Sequence, residues 1–222
     1  MLNLDASYVH STYFLKGKKV DHIKKMGDLV ITSGKLCACD PCYLEDENRN
    51  QEMDLIVPTG KYPVLLDIKE HLVNIMFNPI GDIFFWEDIK FKRDNYPDSI
   101  EVDEGEYGFI DKDGILAIEK NTKTGVYPKG INEGEPVSGR DFDYGYSSMD
   151  MGIKNSKNNY LSINTLFGDD EYTFRAGYND WNRINCISGC LLGKNFGIGL
   201  YFKSETISTE AIEHFMNIKE GK

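Results

Sequence analysis

The residues best suited to chemistry are five cysteines in two groups, Cys37-x-Cys39-x-x-Cys42 and Cys186-x-x-x-Cys190. Three thiolates from the first group and one from the second would meet zinc's preference for four N or S ligands in a tetrahedron. A second reading is redox or nucleophilic thiol chemistry. The reading adopted is packing. Cys37 and Cys39, two residues apart, share one face of a strand, and Cys186 and Cys190 sit in an apolar run where small thiols serve as inert core residues. No metal and no cofactor is therefore expected. His10, His22, His71 and His214 are scattered, and none falls in a spacing that signals ligation.

The remaining motifs fail on their own chemistry. Gly-x-Ser-x-Gly is absent, so no serine nucleophile elbow is present. Gly189 and Gly193 superficially mimic a phosphate loop, but three residues separate them instead of four. Asn195 also stands where Ser or Thr must meet magnesium. Gly197-x-Gly199 runs on into Leu200-Tyr201-Phe202, a strand pattern that gives no dinucleotide turn. Asp111-Lys112-Asp113-Gly114 lacks the further carboxylates of a calcium loop. Acids beside aromatics, such as Trp86-Glu87-Asp88 and Asp141, Asp143, Tyr144, could form a glycosidase pair. With 36 acids among 222 residues, adjacent pairs arise by chance. No catalytic residue is assigned, and the chain leans away from being an enzyme.

Charge is the property that remains. The formal net charge is −11, from 36 Asp+Glu against 25 Lys+Arg. Lys16, Lys18, Lys19, Lys24 and Lys25 outnumber Asp5 and Asp21 in residues 1–27, so all of the acidic excess lies beyond that segment. Such a chain repels nucleic-acid backbones and anionic membranes, and neither is expected as a partner. The start Met1-Leu2-Asn3-Leu4-Asp5 lacks the basic and apolar regions of a secretory signal, and no apolar run is long enough to span a bilayer. The odd cysteine count fits a reduced, cytoplasmic protein.

Turn signals divide the chain into short strand-like runs. Leu29 to Thr32, Lys35 to Cys39, Tyr62 to Leu66, His71 to Phe77 and Ile83 to Lys92 are apolar or alternating. They are punctuated by Ser33-Gly34, Asp40-Pro41, Pro58-Thr59-Gly60 and Asn78-Pro79. Asp113-Gly114 between Phe109-Ile110 and Ile115 to Ile118 predicts a hairpin. Residues 120–159, rich in Gly, Asn, Lys and Ser, read as an irregular excursion with a short helix near Tyr146 to Ile153. Strands resume at Glu171 to Ala176, Arg183 to Leu192 and Phe196 to Phe202. Ser208 as N-cap, with Ile212, Phe215 and Met216 on one face, predicts a C-terminal helix. The expected fold is mainly β, with α+β as the alternative: a single antiparallel β-rich domain, sandwich or barrel-like. A basic N-terminal segment (1–27) docks on the body (28–205), and the helix (206–222) completes the domain.

Gly27-Asp28-Leu29-Val30-Ile31-Thr32-Ser33-Gly34-Lys35-Leu36-Cys37-Ala38-Cys39-Asp40-Pro41 resembles the opening of the bacterial domain of unknown function 4241 family. Pro58-Thr59-Gly60-Lys61-Tyr62-Pro63-Val64 is similar to that family's Pro-x-Gly-x-Tyr-Pro-Val turn and strand. Tyr107-Gly108-Phe109-Ile110-Asp111, with Gly114, corresponds to its Gly-Phe-Val-Asp segment. Where the family has Ser-Gly-x-Gly-Asp-Gly, this chain has Ala176-Gly177-Tyr178-Asn179-Asp180-Trp181 and keeps only Gly177 and Asp180. The resemblance implies a fold over residues 27–203 and no activity, since every shared motif is turn chemistry.

Two acidic tracts in expected loops complete the reading. Glu45, Asp46, Glu47 and Glu52 lie in the first, and Glu101, Asp103 and Glu104 in the second. Acidic loops steer and select a basic protein partner. The expected function is an acidic protein-binding module, of the immunity or inhibitor type found in bacteria and phages. The alternatives are an enzyme or small-ligand binder assembled from distant residues around Trp86 and Trp181, and a structural or assembly subunit.

Overall fold

A computed structural model describes residues 22–44, 51–78, 83–92, 98–103, 105–123, 138–165 and 168–194. Among the described residues thirteen strands form two antiparallel sheets, and there is one α-helix. The chain is thus mainly β. The first sheet has seven strands: β1 (Ile23–Ile31), β4 (Gly60–Asp67), β5 (Leu72–Met76), β13 (Ile184–Cys190), β12 (Asp170–Tyr178) and β6 (Phe85–Asp88) in that order, with β7 (Ser99–Val102) also on β12. The second has six: β3 (Gln51–Glu52), β2 (Leu36–Cys39), β8 (Glu106–Asp111), β11 (Asn159–Asn164), β10 (Ser147–Gly152) and β9 (Ser138–Asp141). The N-terminal residues 1–21 and the C-terminal helix expected from Ser208 onward lie outside the described residues, and residues 22–27 belong to the β1 region.

One apolar core lies between the sheets. Leu29, Ile31, Val64, Leu66, Val73, Ile75 and Phe174 come from the first, and Leu36, Ala38, Tyr107, Phe109, Leu161 and Ile163 from the second. Strand alternation puts every second residue on this inner face. Leu65, Met76 and Cys186 alternate to the opposite face of the first sheet, where they pack with Ile23. The two early runs predicted as strands do form strands, yet they do not pair with each other. β1 pairs with β4, whereas β2 pairs with β8 and β3, so the Thr32 to Lys35 turn carries the chain from one sheet to the other.

Asp111 fixes that corner. Its buried carboxylate accepts hydrogen bonds from Ser33 Oγ (2.8 Å), from the Ser33 N–H and from Thr32 Oγ1 (3.1 Å). It also accepts the N–H of Asp113 (3.0 Å), satisfying one of the free donors that begin a helix. The expected hairpin at Asp113-Gly114 is replaced by helix α1 (Lys112–Lys123). Ile115 and Ile118, three apart, turn inward onto Cys37, Cys39, Ile110 and Tyr160, while Leu116 faces out. Gly114 serves close packing, since a Cβ there would stand 2.9 Å from Ile110 Cγ1 and from Ile153 Cδ1.

Strands also occupy the described part of 120–159. β9, β10 and β11 form a meander, with Ser148 opposite Arg140 on one side and Ile163 on the other. The helix expected at Tyr146 to Ile153 is strand β10. Backbone pairing on both flanks overrides the weak local preference of Ser147-Ser148-Met149-Asp150. The acidic tract at 98–106 is likewise mostly strand, because Ile100 and Val102 reach the core while Glu101 faces out.

Candidate partner-binding surface

β12 carries β13 along one side and two short strands end to end along the other. Its first half pairs with β7 (Glu171↔Glu101, Thr173↔Ser99) and its second half with β6 (Arg175↔Asp88, Gly177↔Trp86). Among the described residues no strand pairs with the far side of β6. An open strand edge presents unpaired N–H and C=O groups to whatever approaches it.

The side chains of this margin are acidic along its length and aromatic at one end. Glu101 lies directly across from Glu171, an arrangement of like charges that costs stability when nothing intervenes. Burial alone would raise the Glu171 pKa. Hydrogen bonds from Lys194 Nζ (3.0 Å) and Ser99 Oγ (2.9 Å) override that and hold the carboxyl below its usual range. Lys194 also lies 3.9 Å from Asp98. On β6, Asp88 is exposed and pairs with Arg175 at 2.9 Å, and the Arg175 guanidinium sits over the Trp86 ring at 5.9 Å. Glu87 is exposed beside it.

The aromatic end is built by the β12–β13 turn. Asn179 Oδ1 accepts the N–H groups of Trp181 and Arg183, and Asn182 adopts a left-handed φ of 57°, so the loop closes tightly and leaves Trp181 outside. Phe84 donates its N–H to Tyr178 O, and the Phe85 ring stacks on Tyr178 with centroids 5.0 Å apart. Trp181, Phe84 and Phe85 are 74%, 65% and 44% exposed, which makes this the main cluster of exposed large apolar side chains among the described residues. Clustered exposed aromatics rimmed by charge are the composition of an interaction surface.

The residues expected to bind a partner are distributed unevenly. Glu101 and Asp103 belong to this margin. The Asp103 N–H donates to Asp40 Oδ2 (2.9 Å) while Asp40 Oδ1 accepts the Cys42 N–H (2.8 Å), so the end of β7 is anchored to the end of β2. Glu52 sits on β3 of the other sheet, where Lys92 Nζ (2.5 Å), Lys35 Nζ (3.8 Å) and Lys112 Nζ (3.9 Å) converge on its carboxylate. Burial raises its pKa, but the Lys92 hydrogen bond and the three nearby ammonium groups bring the net shift downward. Glu45, Asp46, Glu47 and Glu104 lie outside the described residues. The charge pattern does not point to Phe84, Phe85 or Trp181 as partner residues, although Ile83-Phe84-Phe85-Trp86 contains the signal. Four consecutive large apolar residues on one strand cannot all point inward.

The cysteines are dispersed. Cys37 and Cys39 pack beneath α1, Cys186 packs on the outer face with Ile23 and Leu65, and Cys190 lies beside Tyr107, whose hydroxyl donates to the Cys190 carbonyl. Burial pushes the thiols of Cys37 and Cys186 up to about 12. Among the described residues, no three or more His, Cys, Asp or Glu side chains are placed to hold a metal ion. A buried polar pair lies at the β4–β5 turn, where His71 Nδ1 is 2.7 Å from the Tyr146 hydroxyl. Among the described residues no helix is long and apolar enough to cross a membrane. No family model, curated protein or solved structure matches this chain.

Proposed function

We propose that the protein is an acidic, cytoplasmic protein-binding module of the immunity or inhibitor type, whose open β6–β7 margin captures a basic protein partner. The carrying observation is the coincidence, along a sheet edge that no strand pairs with among the described residues, of Glu87, Asp88 and Glu101 with the exposed rings of Phe84, Phe85 and Trp181. Aromatic anchors supply the desolvated contact that fixes most binding energy, and surrounding acids set encounter rate and partner sign. The resemblance to the domain of unknown function 4241 family belongs to the same proposal and contributes an expected fold without an activity.

The test is affinity capture from the source cells on the wild-type protein and on a Glu87→Lys, Glu101→Lys double variant. One basic protein should be retained by the wild type at low salt. Raising the salt to about 0.5 M, where charges are screened within a few ångströms, should weaken its retention, and the variant should lose it. No partner at low or moderate salt, or equal retention by the variant, overturns the reading.

A further inference from the structure

The phase of the β6–β12 ladder decides what kind of contact the open edge can make. The Ile89 N–H donates to Phe174 O at 2.9 Å, and Glu87 and Phe85 stand at the same parity opposite Ala176 and Tyr178. In an antiparallel ladder, backbone groups alternate between the two sides of the strand. The N–H and C=O groups of Trp86 and Asp88 therefore point away from β12, into the open side. They offer two residues to a short further strand, because the next group on that side, the Lys90 C=O, already accepts the Asp54 N–H at 2.7 Å and the Phe84 N–H turns to Tyr178 O.

Side chains specify that strand. Phe85 and Glu87 fall on one face of the sheet, and Trp86 and Asp88 on the other. Read along the edge, both faces run from aromatic to acidic, as Phe85-Trp86-Glu87-Asp88. A strand laid antiparallel on it meets the acids first and the rings second. Its complementary core is two basic residues followed by two apolar ones. The apolar pair would extend over Phe84 and Trp181, while the basic pair would face Glu87 and Asp88. Three basic groups of this chain lie nearby. Arg175 is already engaged by Asp88, Lys90 follows the strand and Arg183 lies past the β12–β13 turn, so a partner cation is accommodated on the Glu87 side and shares Asp88 with Arg175.

A second copy of this chain fits the edge poorly. Pairing β6 with β6 brings the Glu87 and Asp88 carboxylates of two molecules, each already carrying −11, onto one short ladder, and acidic edge residues are a standard device against self-pairing. The same charges attract a cationic strand. We propose that the β6 edge binds its partner by strand addition, taking an extended segment with a basic-basic-apolar-apolar core in the antiparallel sense. This rests on the capture of a basic partner proposed above and specifies how it occurs.

The test uses the full chain and a short synthetic peptide with the core Lys-Lys-Ile-Val. A second peptide has the same sequence but is N-methylated on the core amides that would face β6, and a third has the core Glu-Glu-Ile-Val. Titration calorimetry should show binding of the first, at least about tenfold weaker binding of the second and none of the third. Amide exchange at Trp86 and Asp88 should slow by about tenfold or more in the first complex alone. Binding of the N-methylated peptide within about twofold of the first, or unchanged exchange at Trp86 and Asp88, overturns strand addition while leaving charge-driven capture standing. No binding of either cationic peptide at low salt also overturns strand addition, and the capture experiment then decides the broader reading separately. Concentration-dependent dimerisation of the free chain that protects the same two amides overturns the proposal in favour of a second copy.

Discussion

His71 offers a direct check on how the buried end of the sandwich is held together. The residue closes the β4–β5 turn with a left-handed φ of 54° and is 5% exposed. Its Nδ1 lies against the Tyr146 hydroxyl, and its Nε2 has no hydrogen-bond partner among the described residues. Burial lowers its pKa from 6.5 to about 4, so the imidazole is neutral in the folded protein at pH 7. Below pH 6.5 the unfolded chain takes up a proton that the folded chain refuses. Stability contributed by the neutral ring is therefore complete above pH 6.5 and is lost as the pH falls toward 4. The full effect is about 3 kcal/mol, of which about 2 kcal/mol falls between pH 7 and pH 5. Asp67, whose pKa is raised by burial, acts in the opposite sense, so the comparison must be with a variant and not with pH alone. His71→Asn retains a residue suited to the left-handed turn and removes the titration. Urea unfolding followed by circular dichroism should show the wild type losing about 2 kcal/mol more than the variant between pH 7 and 5. Equal losses in the two proteins, or an NMR titration of His71 near 6.5, would refute the argument.

Four further outcomes follow from the packing and the edge. Gly108→Ala should destabilise by at least about 2 kcal/mol in chemical denaturation, because the new Cβ would lie 2.5 Å from the Tyr160 ring. That ring is fully buried and its hydroxyl is bonded to Cys39 O, so it has nowhere to go. Asp111→Ala should cost about 2 kcal/mol, since it removes the buried carboxylate that accepts from the part-buried donors of Ser33 and Asp113, and amide exchange at those two residues should accelerate. Native-state alkylation mapped by mass spectrometry should label the exposed Cys42 and spare Cys37, Cys39, Cys186 and Cys190 until the chain unfolds. Glu101→Gln should raise stability by a few tenths of a kcal/mol by removing the like charge opposite Glu171, and should weaken partner capture, as read by thermal unfolding and by the affinity experiment.

Much of the β architecture was legible because alternation and turn residues are local properties. The runs now seen as β2, β4, β5, β12 and β13 all carried apolar periodicity bounded by Gly, Pro, Asn or Asp. The misreadings occurred where local patterns support two structures. Ile115-Leu116-Ala117-Ile118 fits a strand by composition and a helix by the spacing of Ile115 and Ile118, and the Asp111 carboxylate, held by Ser33 and Thr32 from far along the chain, tips it to helix. Ser147 to Gly152 has almost no preference of its own and becomes a strand because β9 and β11 flank it. The site was half legible. Glu101 and Asp103 were visible as charge, but Glu52 looked equivalent to them until the fold brought Lys35, Lys92 and Lys112 onto its carboxylate. No window of sequence contains those four residues together.

That difference bears on how acidity is read. A net charge of −11 is a property of the whole chain, yet the fold spends some carboxylates on structure and leaves others outside it. Asp40 and Asp111 are buried acceptors for backbone N–H groups, and Glu52 is surrounded by lysines, so none of the three is available to a partner. Glu87 and Glu101 face outward on the sheet margin, and Glu101 sits where folding would favour a neutral or basic residue opposite Glu171. An outward-facing carboxylate set across from another acid, on the same margin whose far end carries exposed rings that folding also leaves unburied, is better explained by what approaches the edge than by what lies beneath it. The two accounts predict opposite signs for removing it: lower stability if Glu101 serves the fold, higher stability with weaker capture if it serves a partner.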